Sequence, residues 1–391
     1  MKYCLMIIIM VTGVACAQVD PCGMAEFRPQ RRPWSQQYMA QLKMPAGFVI
    51  NVFAGQLGNA RMLAVDSDSA VYVTCPSQNR VTVMLDKDRD GSAESIHTLF
   101  SDLPDVHGIT IDGNTMYLAA PQKVWLSRRQ GTSWSKPTII INDLPPGPWH
   151  QNRTLAVGPD RKLYISVGSS CNACKEINPE YAAILVCELD GTGRKLYASG
   201  LRNTIGFDFH PVTRQMWGMD HGSDWRGNSI PPEELNLLLP GKNYGWPYAY
   251  ANQQIDPFME DPPGKTKEAY ALDTQPAVLT YTAHSAPIGM CFYDANQFPP
   301  YYKNCAFVAF HGSWNRYPPS GYKIAMIKFD EQGRPIRFED FVTGFLIEDA
   351  NAYFGRPTGV AVNTDGSLLF ADDVNGYIYR VKYNPNLSSN L

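Results

Sequence analysis

The residues best able to do chemistry recur in one place. At or just before the start of a short β-rich run stand Arg61, His107, His150 with Arg153, Arg202 with Asn203, His284, and Arg356. Guanidinium groups pair well with carboxylates, and a neutral imidazole accepts a proton near neutral pH. Brought to one point, these side chains would form a buried anion-binding site containing a base. Any one of them reads easily as a core residue or a link between sheets. Six equivalent positions do not.

A second set falls where the following strand should end: DHGSDWRGN (220–228), HGSWNR (311–316) and ADDVNG (371–376). Such turns offer backbone carbonyls beside aspartates, and those oxygens suit a hard cation such as Ca²⁺. His221, Gly222 and Ser223 lie in the first turn and Arg316 closes the second. DKDRDGSAE (86–94) has carboxylates at loop positions 1, 3, 5 and 9 and glycine at 6, but His97 at position 12 and strands on both sides. A solvated β-turn is expected there, with a weak structural Ca²⁺ site as the alternative. Cys171 and Cys174, in SSCNAC, have no second pair at metal-ligand spacing. A local disulfide or two free thiols is expected ahead of a redox-active pair or a zinc site.

Residues so arranged need a repeating frame, and one is visible. The copies are ARMLAVDSDSAVYVT (60–74), HGITIDGNTMYLAA (107–120), RTLAVGPDRKLYISVG (153–168), NTIGFDFHPVTRQMWGMD (203–220), SAPIGMCFYDANQFPPYYKNCAFVAF (285–310) and GRPTGVAVNTDGSLLFADD (355–373). Each joins two runs rich in Val, Ile, Tyr and Phe through a polar Gly/Asp/Asn turn, and a third strand-like run follows, such as RVTVML or YIYRVKY. No window shows sustained helical periodicity. The pattern predicts an all-β fold, a six-bladed β-propeller of four-stranded antiparallel blades, as a single domain over 18–391. A pair of β-sandwiches would not need six copies. GFVINVFAG (47–55) is expected to complete the last blade and close the ring. The stretch 241–281, rich in Tyr, Pro, Gln and Asn, reads as a long loop insertion.

Composition narrows the function. The 391 residues are 44% hydrophobic, 12% aromatic and 18% charged, with a net charge of −3, which is globular and excludes a nucleic-acid partner. Residues 1–17 read as a secretory signal: Lys2, an apolar run over Leu5–Val11, then Ala15-Cys16-Ala17 before Gln18. A lipoprotein anchor through Cys16 is the weaker reading, because Gly13 stands where a branched aliphatic is usual. No later apolar run is long enough to cross a bilayer. The mature chain is expected to be periplasmic or secreted. Of nine cysteines the signal removes Cys4 and Cys16, leaving seven, so at least one stays unpaired.

LPPGPWHQNRTLAVGPDRKLYISVG, GLRNTIGFDFHP, EELNLLLPGKNYGWP, HSAPIGMCFY, AFVAFHGSWNR and RPTGVAVNTDGSLLFADDVNGYIYRV resemble the soluble pyrroloquinoline quinone (PQQ)-dependent sugar dehydrogenases, nearest to the sorbosone-dehydrogenase-like and aldose-type members. The likeness runs in matching order from Phe48 to Tyr383. It implies a propeller with PQQ on its axis. His150 matches the general base that takes the proton of the anomeric hydroxyl as hydride passes to the quinone. Arg202 and Asn203 match residues that contact the cofactor near its quinone oxygens. Gly222 and Ser223 match the turn whose carbonyls bind Ca²⁺, and His221 precedes them. Arg356 matches an arginine near the cofactor's carboxylates, Arg316 stands where some members use lysine, and His284 falls near the same pocket. A small sugar would be the substrate.

Two departures stand out. Ser169 occupies the place of an aspartate that orients the base in the glucose-oxidising branch, so Asp220 or a backbone carbonyl must orient His150 here. Ser223 stands where that branch has proline, which matters less because a carbonyl does the binding. No CxxCH haem site is present, so electrons would leave to a separate acceptor. Two rival readings explain less. A Ca²⁺-dependent lactonase-type propeller needs Asp, Asn and Glu on the axis, and a non-catalytic propeller that binds a glycan or protein leaves the arginines unexplained. The export signal yields the first test: N-terminal sequencing of protein from its natural host should find a mature end near Gln18, and active protein retaining Met1 would defeat it.

Overall fold

The structure, a computed structural model, describes residues 27–347, 349 and 351–387; the expected signal and Cys22 lie outside the described residues. Six antiparallel sheets follow one another along the chain. The first is Leu63–Val65, Val71–Cys75, Arg80–Leu85 and Ser95–Phe100. The second is Gly108–Asp112, Thr115–Ala119 and Val124–Gln130, with an outer edge split into Ser133–Trp134 and Thr138–Ile141. The third comprises Leu155–Val157, Leu163–Val167, Ala183–Cys187 and Lys195–Ser199. The fourth takes Phe207–Phe209, Met216–Asp220, Glu233–Leu238 and Leu279–Tyr281. The fifth is Pro287–Phe292, Ala306–Phe310, Lys323–Phe329 and Pro335–Val342. The sixth is Pro357–Val362, Leu368–Asp372 and Tyr377–Tyr383, completed by Phe48–Ala54 from the start of the chain.

Burial explains the strand compositions. Second strands such as Val71–Cys75, Leu163–Val167 and Ala306–Phe310 are buried at every position, and they read as unbroken apolar and β-branched runs. The outer strand Ser95–Phe100 exposes its middle residues. Six apolar cores hold the sheets face to face, each shared by neighbours. Tyr72 and Met116 meet between the first and second sheets, and Leu126 and Ile165 between the second and third. Tyr164 and Phe207, then Trp217 and Phe310, continue the series. Phe307 and Phe370 join the fifth sheet to the sixth, and Leu369 and Val73 join the sixth back to the first. The stack therefore closes on itself as a β-propeller.

The first strands pack edge to edge around the axis. A Cβ on Gly108 would lie 2.5 Å from the Arg153 carbonyl, and one on Gly359 2.3 Å from the Arg61 carbonyl, so neither position admits a side chain. Closure depends on Phe48–Ala54, which pairs with Tyr377–Tyr383 as the N-terminal motif predicts. Phe48 is set edge-on among Phe298, Tyr302, Phe341 and Tyr383, with ring centroids 4.8–5.2 Å away.

The segment 241–281 is not simply a loop. It carries a two-stranded hairpin (Ala249–Tyr250 with Gln254–Ile255), a helix Lys267–Leu272 capped by Thr266, and the outer strand of the fourth sheet, Leu279–Tyr281. The helix is too short to leave a periodic signature.

Candidate active site

The first two strands of each sheet run antiparallel. The residues leading into the first and those leaving the second therefore share one end of the ring. That end collects the predicted residues, and buried carboxylates fix their backbones. Asp220 accepts from the N–H groups of Arg202 (2.9 Å) and Asn203 (2.8 Å) and from the Thr204 hydroxyl (2.7 Å). Asp372, equivalently placed in the sixth sheet, accepts from the N–H of Arg356 (3.1 Å) and the amide of Asn375 (2.7 Å). Glu233 accepts from the N–H groups of Gly222 (3.0 Å) and Ala286 (2.8 Å). Burial pushes these carboxyls up, to about 6, 6 and 8.

His150 is oriented by a backbone carbonyl and a hydroxyl, not by Asp220. Its Nδ1 lies 3.1 Å from the Ser169 carbonyl and 2.8 Å from Ser169 Oγ. That hydroxyl already donates to the Cys171 carbonyl at 2.6 Å, so it can only accept from His150. Nδ1 therefore bears the proton and Nε2 keeps a free lone pair. Gly168 makes the juxtaposition possible: a Cβ there would lie 2.5 Å from His150 Cβ and 2.6 Å from Asn203 Oδ1. Burial, then the positive charge of Arg202, pushes the imidazole down to about 2.

Arg153 does not face the site. Fully buried, it donates to the carbonyls of Pro121 (3.1 Å), Pro145 (2.6 Å) and His150 (2.6 Å), and so clamps the Pro-rich loop that carries the base. His107 donates from Nδ1 to the Arg153 carbonyl (3.1 Å) and accepts at Nε2 from Arg61 (3.4 Å). The histidines are not cations of the ring. Burial lowers His107 to about 3 and His221 and His311 to about 4, and it lowers His284 as well.

Arg202 donates to the backbone and side-chain oxygens of Asn172, each at 2.9 Å, and to Asp224 at 2.8 Å. Asp224 also accepts from Asn315 at 2.7 Å and lies 3.9 Å from His284, whose Nε2 donates to the Gly227 carbonyl. Arg316 is spent on the carbonyls of Asn228 (3.0 Å), Ala283 (3.3 Å) and Pro318 (2.9 Å). On the other side of the axis Asp373 joins Arg61 (2.7 Å) to His311 (2.9 Å). Burial alone would raise Asp373, but His311 and Arg61 hold it well below the usual range. Sequence reasoning missed Asn172, Asp224, Asn315, His311 and Asp373 as members of this network; DHGSD, HGSWN and ADD were read only as turns suited to a cation.

The second set is corrected in the same way. The carbonyls of His311 (3.0 Å) and Gly312 (2.7 Å) are taken by Arg356, and both aspartates of ADD are engaged, so neither turn is a free cation ligand set. The Gly222 and Ser223 carbonyls, by contrast, accept no hydrogen bond from the described residues. Behind them lies a small cavity lined also by Asp220, Glu234, Tyr244 and Trp246, with Trp246 Nε1 donating to Ser223 Oγ at 3.1 Å. Part of the 241–281 segment thus buttresses this turn. The loop at 86–94 gathers Asp86, Asp88, Asp90 and Glu94, as the sequence spacing allowed. Cys171 and Cys174 form a disulfide.

The donors fit a polyanionic ligand. Among the described residues no acceptor meets Nη2 of Arg61, Nη1 of Arg202 or Nη1 of Arg356. With Arg316 there are four guanidinium groups here; Asp224 and Asp373 pair directly with two of them, while Asp220, Asp372 and Glu233 face the backbone N–H groups. Residues 42–384 match the family described as TrAA12-like. The chain belongs to that family. It is 31% identical, over 89% of its length and 93% of the relative's, to an uncharacterised protein of Borreliella burgdorferi. It is also 30% identical to the pyrroloquinoline quinone-dependent pyranose dehydrogenase of Coprinopsis cinerea over 90% of this chain, which spans 56% of that longer protein. A calcium structure of Trichoderma reesei Carbohydrate-Active Enzymes Family AA12 superposes with a TM-score of 0.75 at 21% identity, covering 88% of this chain and 98% of the other, a likeness of fold. The TrAA12-like family thus includes PQQ-dependent sugar oxidoreductases.

The neutral imidazole makes a signed prediction. Below pH 6.5 His150 is protonated when unfolded but not when folded, so its burial weakens the fold as pH falls from 6.5 toward 2 and costs nothing above pH 7. At pH 5 the penalty is about 2 kcal/mol. Relative to the native apoprotein, His150→Gln should therefore be more stable by about 2 kcal/mol at pH 5 than at pH 8, read from urea unfolding. An equal difference at both values would show that His150 is not held neutral.

Proposed function

We propose that this chain is a PQQ- and Ca²⁺-dependent oxidoreductase that removes hydride from the anomeric carbon of an aldose or related small sugar. Its six four-stranded sheets would be the blades of a six-bladed propeller, with the site at the axial end where the arginines gather. One observation carries the reading: His150, held by Nδ1 so that Nε2 keeps its lone pair, crowds Gly168 together with Asn203 and lies close enough to Arg202 for that charge to depress it, among arginines with unused donors.

When bound, PQQ supplies the two-electron oxidant. Nε2 of His150 takes the proton of the sugar hydroxyl, while Ser169 holds the ring by Nδ1 and Arg153 holds the loop beneath it. The unused donors of Arg61, Arg202 and Arg356 would hold the anionic cofactor, with Asn203, His221, His284 and Arg316 beside it. The open carbonyls of Gly222 and Ser223 would hold Ca²⁺, which would supply Lewis-acid stabilisation of charge developing on the oxidant. The mature protein acts outside the cytoplasm, periplasmic or secreted, and passes electrons to a separate acceptor. A lactonase reading is disfavoured because Asp224 and Asp373 are each neutralised by an arginine rather than left for a metal.

Apoprotein reconstituted with PQQ and Ca²⁺ should oxidise sugars in the presence of an artificial dye. In that assay His150→Gln should lower kcat at least about a hundredfold with little change in PQQ half-saturation. Arg202→Ala should instead raise that half-saturation more than about tenfold, since a charge-assisted contact is lost. Normal turnover in PQQ-saturated His150→Gln would sink the assignment and pass the role to His284 or His221.

A further inference from the structure

Ser169, which holds the base, donates its N–H to the Arg202 carbonyl at 2.8 Å, and a second connection, to the Arg202 side chain, runs through one small ring. The Cys171–Cys174 disulfide closes the tetrapeptide Cys-Asn-Ala-Cys just after the second strand of the third sheet. Every polar group of the Asn172 side chain is committed across to the fourth sheet. Oδ1 accepts from Arg202 Nη2 (2.9 Å) and from the Asp224 N–H (2.8 Å), and Nδ2 donates to the Asp224 carbonyl (2.9 Å). Its backbone carbonyl accepts from Arg202 Nε at 2.9 Å. The side chain thus pairs with Asp224 as a neighbouring strand would and meets Arg202 at Nη2, while the Asn172 backbone carbonyl meets Nε. On the other side of the ring, the Cys171 carbonyl takes the proton of Ser169 Oγ, which leaves that oxygen to accept from His150. Glu176 anchors the same segment by binding the N–H (2.7 Å) and hydroxyl (2.6 Å) of Ser170.

An exposed turn of this length would ordinarily sample many conformations, and fixing each residue costs about 1–2 kcal/mol of entropy. A cross-link over four residues removes much of that freedom before any ligand arrives. We infer that Asn172, held in the disulfide-closed ring, is a positioning residue that sets Arg202 against the ligand, while the ring's Cys171 carbonyl sets His150 through Ser169. The inference rests on the function proposed above for Arg202 and His150, and it assigns to SSCNAC a task that neither metal binding nor thiol chemistry would give it.

PQQ titrated into apoprotein and followed by tryptophan fluorescence gives a binding readout independent of turnover. Asn172→Ala should raise the half-saturation at least about fivefold with little change in melting temperature, since Arg202 loses one acceptor and its aspartate partner loses its clasp. Asn172→Asp keeps an acceptor for Arg202 and the Asp224 N–H but turns an oxygen toward the Asp224 carbonyl and adds negative charge beside Arg202, so it too should raise the value at least about fivefold. Cys171→Ser with Cys174→Ser should weaken binding in the same direction while Asn172 is still present. Native affinity in both Asn172→Ala and the double serine variant would overturn the inference, as would native affinity in Asn172→Asp. Should Asn172→Ala not fold, the aspartate and double serine variants still decide it. If the native chain itself binds no PQQ, the proposed function fails separately. The positioning claim is then judged from the Arg202 Nε–H NMR signal, which should exchange slowly in the native chain and quickly in the double serine variant; equal exchange would overturn it.

Discussion

A carboxylate buried where water cannot reach it must be met by donors, and in this ring the donors are the backbone N–H groups that lead into the first strands. Asp220 and Asp372 stand at the same place in their sheets, the last residue of the second strand, and each takes the N–H of an arginine entering the adjacent first strand. Glu233 does the same for Gly222 and Ala286. Leaving any of these carboxylates unpaired would cost several kcal/mol. The geometry that satisfies them also aims Arg202, Asn203, Arg356 and the Gly222–Ser223 turn toward one end of the axis. The site thus inherits its precision from the frame.

Much of that frame was legible in the sequence because its signals are local. A β-rich run, a polar turn and a second run recur six times, and the apolar alternation of GFVINVFAG marks a strand that only the last sheet can take. The repeated position before each first strand pointed to Arg61, His107, His150, Arg202, His284 and Arg356. It could not separate those that face the axis from those that brace it. Arg153 has the same sequence setting as Arg202, yet its guanidinium lies among three carbonyls of its own and a neighbouring loop, and only the fold brings those together. Asn172, Asn315 and Asp373 were invisible for the same reason: their partners are 30 to 312 residues away along the chain. Leu279–Tyr281 escaped notice because three residues of outer strand carry too little alternation to stand out from the loop before them.

Electrostatics sorts the ring into two halves. On one side Asp373 ties Arg61 to His311, and Arg356 reaches the His311 carbonyl. On the other Asp224 ties Arg202 to Asn315, with Asn172 clasping its backbone. Each half pairs one arginine side chain with one aspartate and leaves guanidinium donors without an acceptor among the described residues. Two partly compensated clamps facing each other hold a planar anion better than six isolated cations would, because each arginine is already fixed in direction and loses little rotamer freedom on binding.

On the proposed function, His150 alone would make a poor base. An imidazole pushed down to about 2 has little drive to take a proton from a sugar hydroxyl, and general-base catalysis works best with a group that titrates near the working pH. The causes of that depression point to its remedy. Burial comes first, and the positive charge of Arg202 second. An anionic ligand seated against Arg202 supplies the missing counter-charge, which raises the affinity of Nε2 for a proton without moving Ser169 or the ring that holds it. Ligand occupancy and basicity are then two faces of one electrostatic coupling. On the proposed function, the imidazole would be neutral in the empty site and gain proton affinity with the anion in place. On that reading Arg202 would have a second task beside holding the ligand, since the charge that attracts the ligand adds to burial in lowering His150.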